Sequence, residues 1–100
     1  QKYNDLLSAL IFHPELKEYY TPDFSVWNER DIYDGSKLLR PDRVVLRENK
    51  AYIIDYKTGS ASSTHKKQVH DYAKALSSLK YNVKKILLVY ITDSIEVKIV

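Results

Sequence analysis

Three residues, Asp42, Asp55 and Lys57, have the types and spacing in this chain that point most directly to chemistry. Asp55 and Lys57 lie two apart in the strand-like run Ala51-Tyr52-Ile53-Ile54-Asp55-Tyr56-Lys57, so both side chains project from one face. Asp42 lies on the preceding strand-like stretch. A two-residue turn at Glu48-Asn49 sets a register that puts Asp42 opposite Asp55, Val44 opposite Ile53 and Leu46 opposite Ala51, and a four-residue loop keeps the same register. Carboxylates directly across a strand pair have Cβ atoms about 4.5–5.5 Å apart and repel each other. A hard divalent cation with oxygen ligands offsets that repulsion; Mg²⁺ typically takes one or two carboxylates plus water and phosphate. Lys57, beside such an ion, is placed to orient or deprotonate an attacking water and to stabilise charge on a phosphorane. The plainer reading makes Asp42 a turn residue at a strand start and Asp55–Lys57 a surface ion pair. Against it, Asp55 interrupts an apolar strand, where a charge is costly unless it is paired or ligating.

The elements that must position these residues can be read from periodicity. Residues 2–20 look helical, with Leu6, Leu7, Leu10, Ile11, Phe12, Leu16 and Tyr19 as apolar positions and Pro14 splitting or restarting the helix. Residues 26–33 read as a first strand, and Asp34-Gly35 as a hairpin turn. Residues 38–47 and 51–57 read as the second and third strands, and 58–63 as a Gly/Ser/Thr loop. A helix is predicted over 64–80, capped by Ser63 or Thr64, with Val69, Tyr72, Ala73, Leu76 and Leu79 as its apolar stripe. Residues 84–91 form a continuous apolar run, the pattern of a strand covered on both faces, and 95–100 alternate as a last strand. The prediction is one α/β domain over 1–100, ordered α-β-β-β-α-β-β, with a mixed central sheet flanked by helices.

Composition narrows the classes. With 44% hydrophobic and 29% charged residues the chain is neither disordered nor fibrous. It has no cysteine, which removes disulfides, thiolate zinc sites and Cys-ligated iron–sulfur clusters. No apolar run approaches the ~20 residues that span a bilayer, so no membrane partner is expected. The net charge of +3 is unevenly spread: residues 1–36 hold three Lys/Arg against seven Asp/Glu, whereas residues 37–85 hold twelve against four. That central excess fits either a polyanion footprint or a solvated Lys-rich surface.

Pro41-Asp42 followed by Asp55-Tyr56-Lys57 resembles the signature of the PD-(D/E)XK nuclease superfamily. The longer strings Arg40-Pro41-Asp42-Arg43-Val44 and Ile53-Ile54-Asp55-Tyr56-Lys57-Thr58-Gly59, with Gln68-Val69-His70-Asp71-Tyr72 as a Q-x-x-x-Y motif, are similar to its RecB/AddA branch. The resemblance covers about residues 26–92 and implies a restriction-endonuclease-like core. It also implies a Mg²⁺-dependent deoxyribonuclease (Mn²⁺ as a substitute), more an exonuclease than a site-specific endonuclease, in DNA end processing and recombinational repair. It makes Asp42 and Asp55 metal ligands with the Tyr56 backbone carbonyl, and Lys57 the catalytic lysine. Glu29 would support the metal shell, and Gln68 and Tyr72 would face the active site and the DNA backbone. From the residues alone, Glu29 reads equally as an exposed strand acid and Tyr72 as a core tyrosine. The branch also carries a metal-binding His on an upstream helix. His13 is the only upstream histidine and its setting looks different, so that ligand is expected to precede Gln1. Because the chain starts at Gln, it is expected to be a piece from the C-terminal part of a larger helicase–nuclease, weakly active by itself. Its partners would be DNA, the helicase portion of the same chain and a second helicase–nuclease subunit, in the cytoplasm of a bacterium.

Beside the resemblance, His65, Lys66 and Lys67 at the predicted helix N-terminus are candidate phosphate contacts, with solvated helix residues as the plainer reading. Trp27 and the nine tyrosines read mainly as core and sheet surface. Two rival functions remain: a catalytically silent nucleic-acid-binding domain of the same fold, and a resolvase or restriction-type endonuclease.

Overall fold

The computed structural model describes residues 8–35 and 37–100. Part of the predicted first helix, including Leu6 and Leu7, lies outside the described residues. Residues 8–11 are helical, and the chain then breaks before Pro14, which cannot continue an i→i−4 ladder. A 3-10 turn, Lys17–Tyr20, replaces the second helix that the apolar spacing predicts. It buries Leu16 and Tyr19 completely or nearly so.

Seven strands follow: β1 (Ser25–Asn28), β2 (Ile32–Asp34), β3 (Lys37–Leu39), β4 (Arg43–Arg47), β5 (Lys50–Thr58), β6 (Asn82–Ile91) and β7 (Ile95–Ile99), with one long helix, α1 (Ser63–Ser78), between β5 and β6. The order differs from α-β-β-β-α-β-β because two predicted strands are each divided. Residues 26–33 become β1 and β2, parted at Glu29, whose φ of +49° is incompatible with an extended ladder. Residues 38–47 become β3 and β4, parted at Pro41, which has no N–H for a ladder. The fragments β2 and β3 pair as a separate two-stranded ribbon around the predicted Asp34-Gly35 turn.

The main sheet has the order β1-β4-β5-β6-β7 and is mixed. All its pairs are antiparallel except β5 and β6, which run parallel and are joined by the α1 crossover, as parallel neighbours require. Alternation sends Val44, Leu46, Ala51, Ile53, Ile86 and Leu88 to the face beneath α1, where Val69, Tyr72, Ala75 and Leu76 meet them. Val45, Ile54, Leu87 and Val89 go to the opposite face, under Leu16 and Tyr19. β6 is thus covered on both faces, as its continuous apolar run predicts. The cap of α1 is Ser62, one residue before the predicted choices, its hydroxyl accepting from the Thr64 N–H at 3.2 Å. The helix ends at Leu79, which is half exposed rather than part of the stripe, and Lys80 turns the chain away with φ +73°. Among the described residues no helix is long and apolar enough to cross a membrane.

Leu76, with Val69, is one of the fully buried residues through which α1 holds to the sheet. Leu76→Ala is expected to destabilise the chain by about 2–5 kcal/mol, read as a lower urea midpoint with an unchanged m-value.

Candidate active site

The β4–β5 hairpin has the register that the Glu48-Asn49 turn predicts, with Val44 opposite Ile53 and Leu46 opposite Ala51. Glu48 supplies the positive φ, +57°, that a two-residue hairpin loop needs. The ladder starts at Arg43↔Ile54, so Asp42 and Asp55 stand one step beyond it. There they bond through side chains instead. The Asp42 N–H donates to Asp55 Oδ1 at 3.2 Å, and the Tyr56 N–H donates to Asp42 Oδ2 at 2.8 Å. On the other side the Glu29 N–H donates to the Asp42 carbonyl at 2.9 Å, so the backbone of Asp42 is fixed from both neighbours. By strand parity both aspartates share the α1 face with Val44 and Ile53.

Lys57, on the same face, places its ammonium 2.9 Å from Asp55 Oδ2 and also donates to Gln68 Oε1 on α1. Asp55 is 1% exposed, the one charged residue buried among those described. Its Oδ2 accepts no hydrogen bond among the described residues, although the Lys57 charge lies against it. The ammonium is close, but the angle between the two groups is not that of a hydrogen bond, and the same ammonium donates to Gln68. A buried carboxylate oxygen with a charge beside it and no donor retains lone pairs for a ligand. Burial pushes the Asp42 carboxyl above its usual range; the Tyr56 N–H works against this, and the charge of Asp55 adds to it. Tyr72 is a core residue, 4% exposed, as its place in the apolar stripe suggests. Its hydroxyl nevertheless feels the pair: burial, then the charges of Asp55 and Asp42, raise it to about 12, against a lowering contact from Gln68.

Two carboxylates on adjacent strands, one with a buried oxygen lacking a donor, fit a hard divalent cation that completes its shell with water and phosphate. The register also bears on the Tyr56 carbonyl. The position opposite Tyr56 is Pro41, which has no N–H to donate, so the hairpin offers that carbonyl no ladder partner. Glu29 does not join the set. It is exposed, and among the described residues no three His, Cys, Asp or Glu side chains gather where they could hold a metal.

The remaining candidates separate. Nδ1 of His13 accepts the Glu15 N–H at 3.1 Å within a local turn. Nδ1 of His65 is bonded to the Tyr90 hydroxyl at 3.1 Å, and the two rings lie 5.7 Å apart. Lys67 is held by Asp71 at 3.1 Å, where Lys37 of the β2–β3 ribbon joins it at 3.4 Å. Lys66 is exposed and makes no ion pair among the described residues. The anchoring role of Tyr90 escapes a reading of the sequence because it lies on a different element from His65, whereas Lys67–Asp71 is an i, i+4 pair within α1 that only Lys37 joins from elsewhere.

Because the Asp42 carboxyl titrates higher in the folded chain than in the unfolded one, the fold loses stability as pH rises from the ordinary carboxylate range through that raised value. Asp42→Asn removes this loss. Its amide oxygen can still accept from Tyr56, and its NH₂ can donate to Asp55. The variant is expected to melt several degrees above the parent at pH 7 and level with it near pH 3, by calorimetry.

No family model matches the chain, and no curated protein does. Among solved structures it is similar to the crystal structure of SSO0001, with TM-score 0.53 and 24% identity over 98% of this chain. The chain spans 57% of that protein's length. At this identity the likeness is one of fold alone, that of a small α/β unit.

Proposed function

We propose that this chain is a divalent-metal-dependent DNA nuclease domain with a restriction-endonuclease-like core, of the RecB/AddA type within the PD-(D/E)XK superfamily. The observation that carries the reading is the Asp42–Asp55 pair, locked by reciprocal backbone bonds on one sheet face with Lys57 against its buried oxygen. Asp42, Asp55 and the Tyr56 carbonyl would hold Mg²⁺, with Mn²⁺ as a substitute. The ion would supply Lewis acidity toward a phosphoryl oxygen and make a bound water easier to deprotonate. Lys57 then has two tasks. Its ammonium orients the attacking water and balances the charge that builds on the phosphoryl oxygens. Gln68 holds that ammonium from the helix side, and the Tyr72 hydroxyl lies within reach of the charges of both carboxylates. The same reading makes the chain the nuclease part of a helicase–nuclease acting at DNA ends.

A catalytically silent DNA-binding domain is the second reading, and the Lys57–Asp55 ion pair favours it, since it already neutralises the buried carboxylate. Titration calorimetry with Mg²⁺ or Mn²⁺ separates the two. The nuclease reading expects binding that Asp42→Ala abolishes, and cleavage of linear DNA in preference to closed circles. Lys57→Ala should keep the metal and lose about 10²–10³ in cleavage rate. Metal binding no stronger than that of Asp42→Ala would leave the silent reading standing.

A further inference from the structure

On the far side of Tyr90 from Lys57 lies a groove of about 560 Å³, walled by Ser62, Ser63, Lys66, Tyr90, Lys98 and Ile99 among others. Lys57 and Tyr90 are register partners on β5 and β6, so the groove begins one strand width, about 4.8 Å, beyond the catalytic lysine. Its charged side chains have one sign. Two lysines line it from separate elements, Lys66 on α1 and Lys98 on β7, together with Ser62 and Ser63, and its lining includes no Asp or Glu side chain. Lys66 has no ion-pair partner among the described residues. Lys98 has only the loose contact with Glu96 at 3.9 Å, and its ammonium stands 5.7 Å from the Tyr90 ring centroid. The His65–Tyr90 hydrogen bond fixes the wall between this groove and the aspartates.

We infer that this groove is the subsite for a phosphate of the substrate strand next to the scissile one, gripped by Lys66 and Lys98. The inference rests on the nuclease reading for the identity of the ligand. Of the three helix-start candidates it selects Lys66, since His65 is bonded to Tyr90 and Lys67 to Asp71, and it adds Lys98 from the edge strand. The amides at the start of α1 add donors, but the inference stands on the two lysines that line the groove from separate elements.

The test is fluorescence anisotropy of labelled single-stranded oligodeoxynucleotides, with a 5′-hydroxyl or a 5′-phosphate, in Ca²⁺ across a salt series, with Mg²⁺-dependent cleavage measured in parallel. Lys66→Ala/Lys98→Ala is expected to flatten the slope of log K against log[salt] by about 0.7, the loss of one neutralised phosphate on a single strand. Lys84→Ala, on the exposed start of β6, should leave the slope unchanged. A loss seen only with the 5′-phosphorylated strand identifies a terminal phosphate; an equal loss with both identifies an internal one. If the parent binds and cleaves DNA but the double variant keeps its slope, the groove proposal is overturned and the nuclease reading stands. If the slope falls while the parent shows no metal-dependent cleavage, the subsite stands and the nuclease reading fails. If the parent does not bind DNA, both fail.

Discussion

Two carboxylates on neighbouring strands repel, and one of this pair is almost wholly buried, so the fold must hold them together by something stronger than sheet pairing. It does so by crossing their hydrogen bonds. Asp42 gives its N–H to Asp55, and its own carboxylate takes the Tyr56 N–H. Each aspartate is thereby fixed by a peptide group of the partner strand, in geometry a ladder would otherwise supply. The residual electrostatic penalty shows in the raised Asp42 carboxyl and in the Lys57 ammonium drawn against Asp55. A strained charge pair of this kind has a stability cost that a purely structural sheet end would avoid, which is why it reads as a site.

The two cores serve this pair from opposite sides. Beneath α1, Val69, Tyr72 and Leu76 pack into the core of that face, and the same helix brings Gln68 to Lys57. On the other face the peptide of Tyr56 is steadied through its ring. The Tyr56 hydroxyl is bonded to that of Tyr20, and Arg43 stacks over the Tyr20 ring at 4.4 Å while donating to the Tyr19 carbonyl at 3.1 Å. Burial, then the Tyr20 hydroxyl, hold the Tyr56 phenol above its usual range, so it stays neutral there. The donor that fixes Asp42 on one face is thus anchored by an aromatic–guanidinium cluster on the other.

The divided strands belong to the same arrangement. Glu29 and Pro41 interrupt their strands beside Asp42, and the chain between them leaves the sheet as the β2–β3 ribbon before returning to β4. Pro41 has two effects: it ends the ladder, and it leaves the Tyr56 carbonyl facing a residue with no N–H. The ribbon is in turn tied back to α1 by Lys37 on Asp71. Apolar periodicity shows none of this, because residues 26–33 and 38–47 keep their β character through the breaks, and only the backbone at Glu29 and Pro41 departs from it.

The sequence by itself determined the hairpin register, the shared face of Asp42, Asp55 and Lys57, the α1 stripe apart from its last turn, and the two-sided burial of β6. These follow from periods of 2 and 3.6 and from a two-residue turn, which are local and rigid rules. Only the tertiary structure decided which charges meet. Gln68 reaches Lys57, His65 is taken by Tyr90, and Lys66 comes to line one groove with Lys98. Each of those outcomes depends on how α1 seats over β5 and β6. A seating of that kind is set by the packing of distant side chains, and no local pattern encodes it.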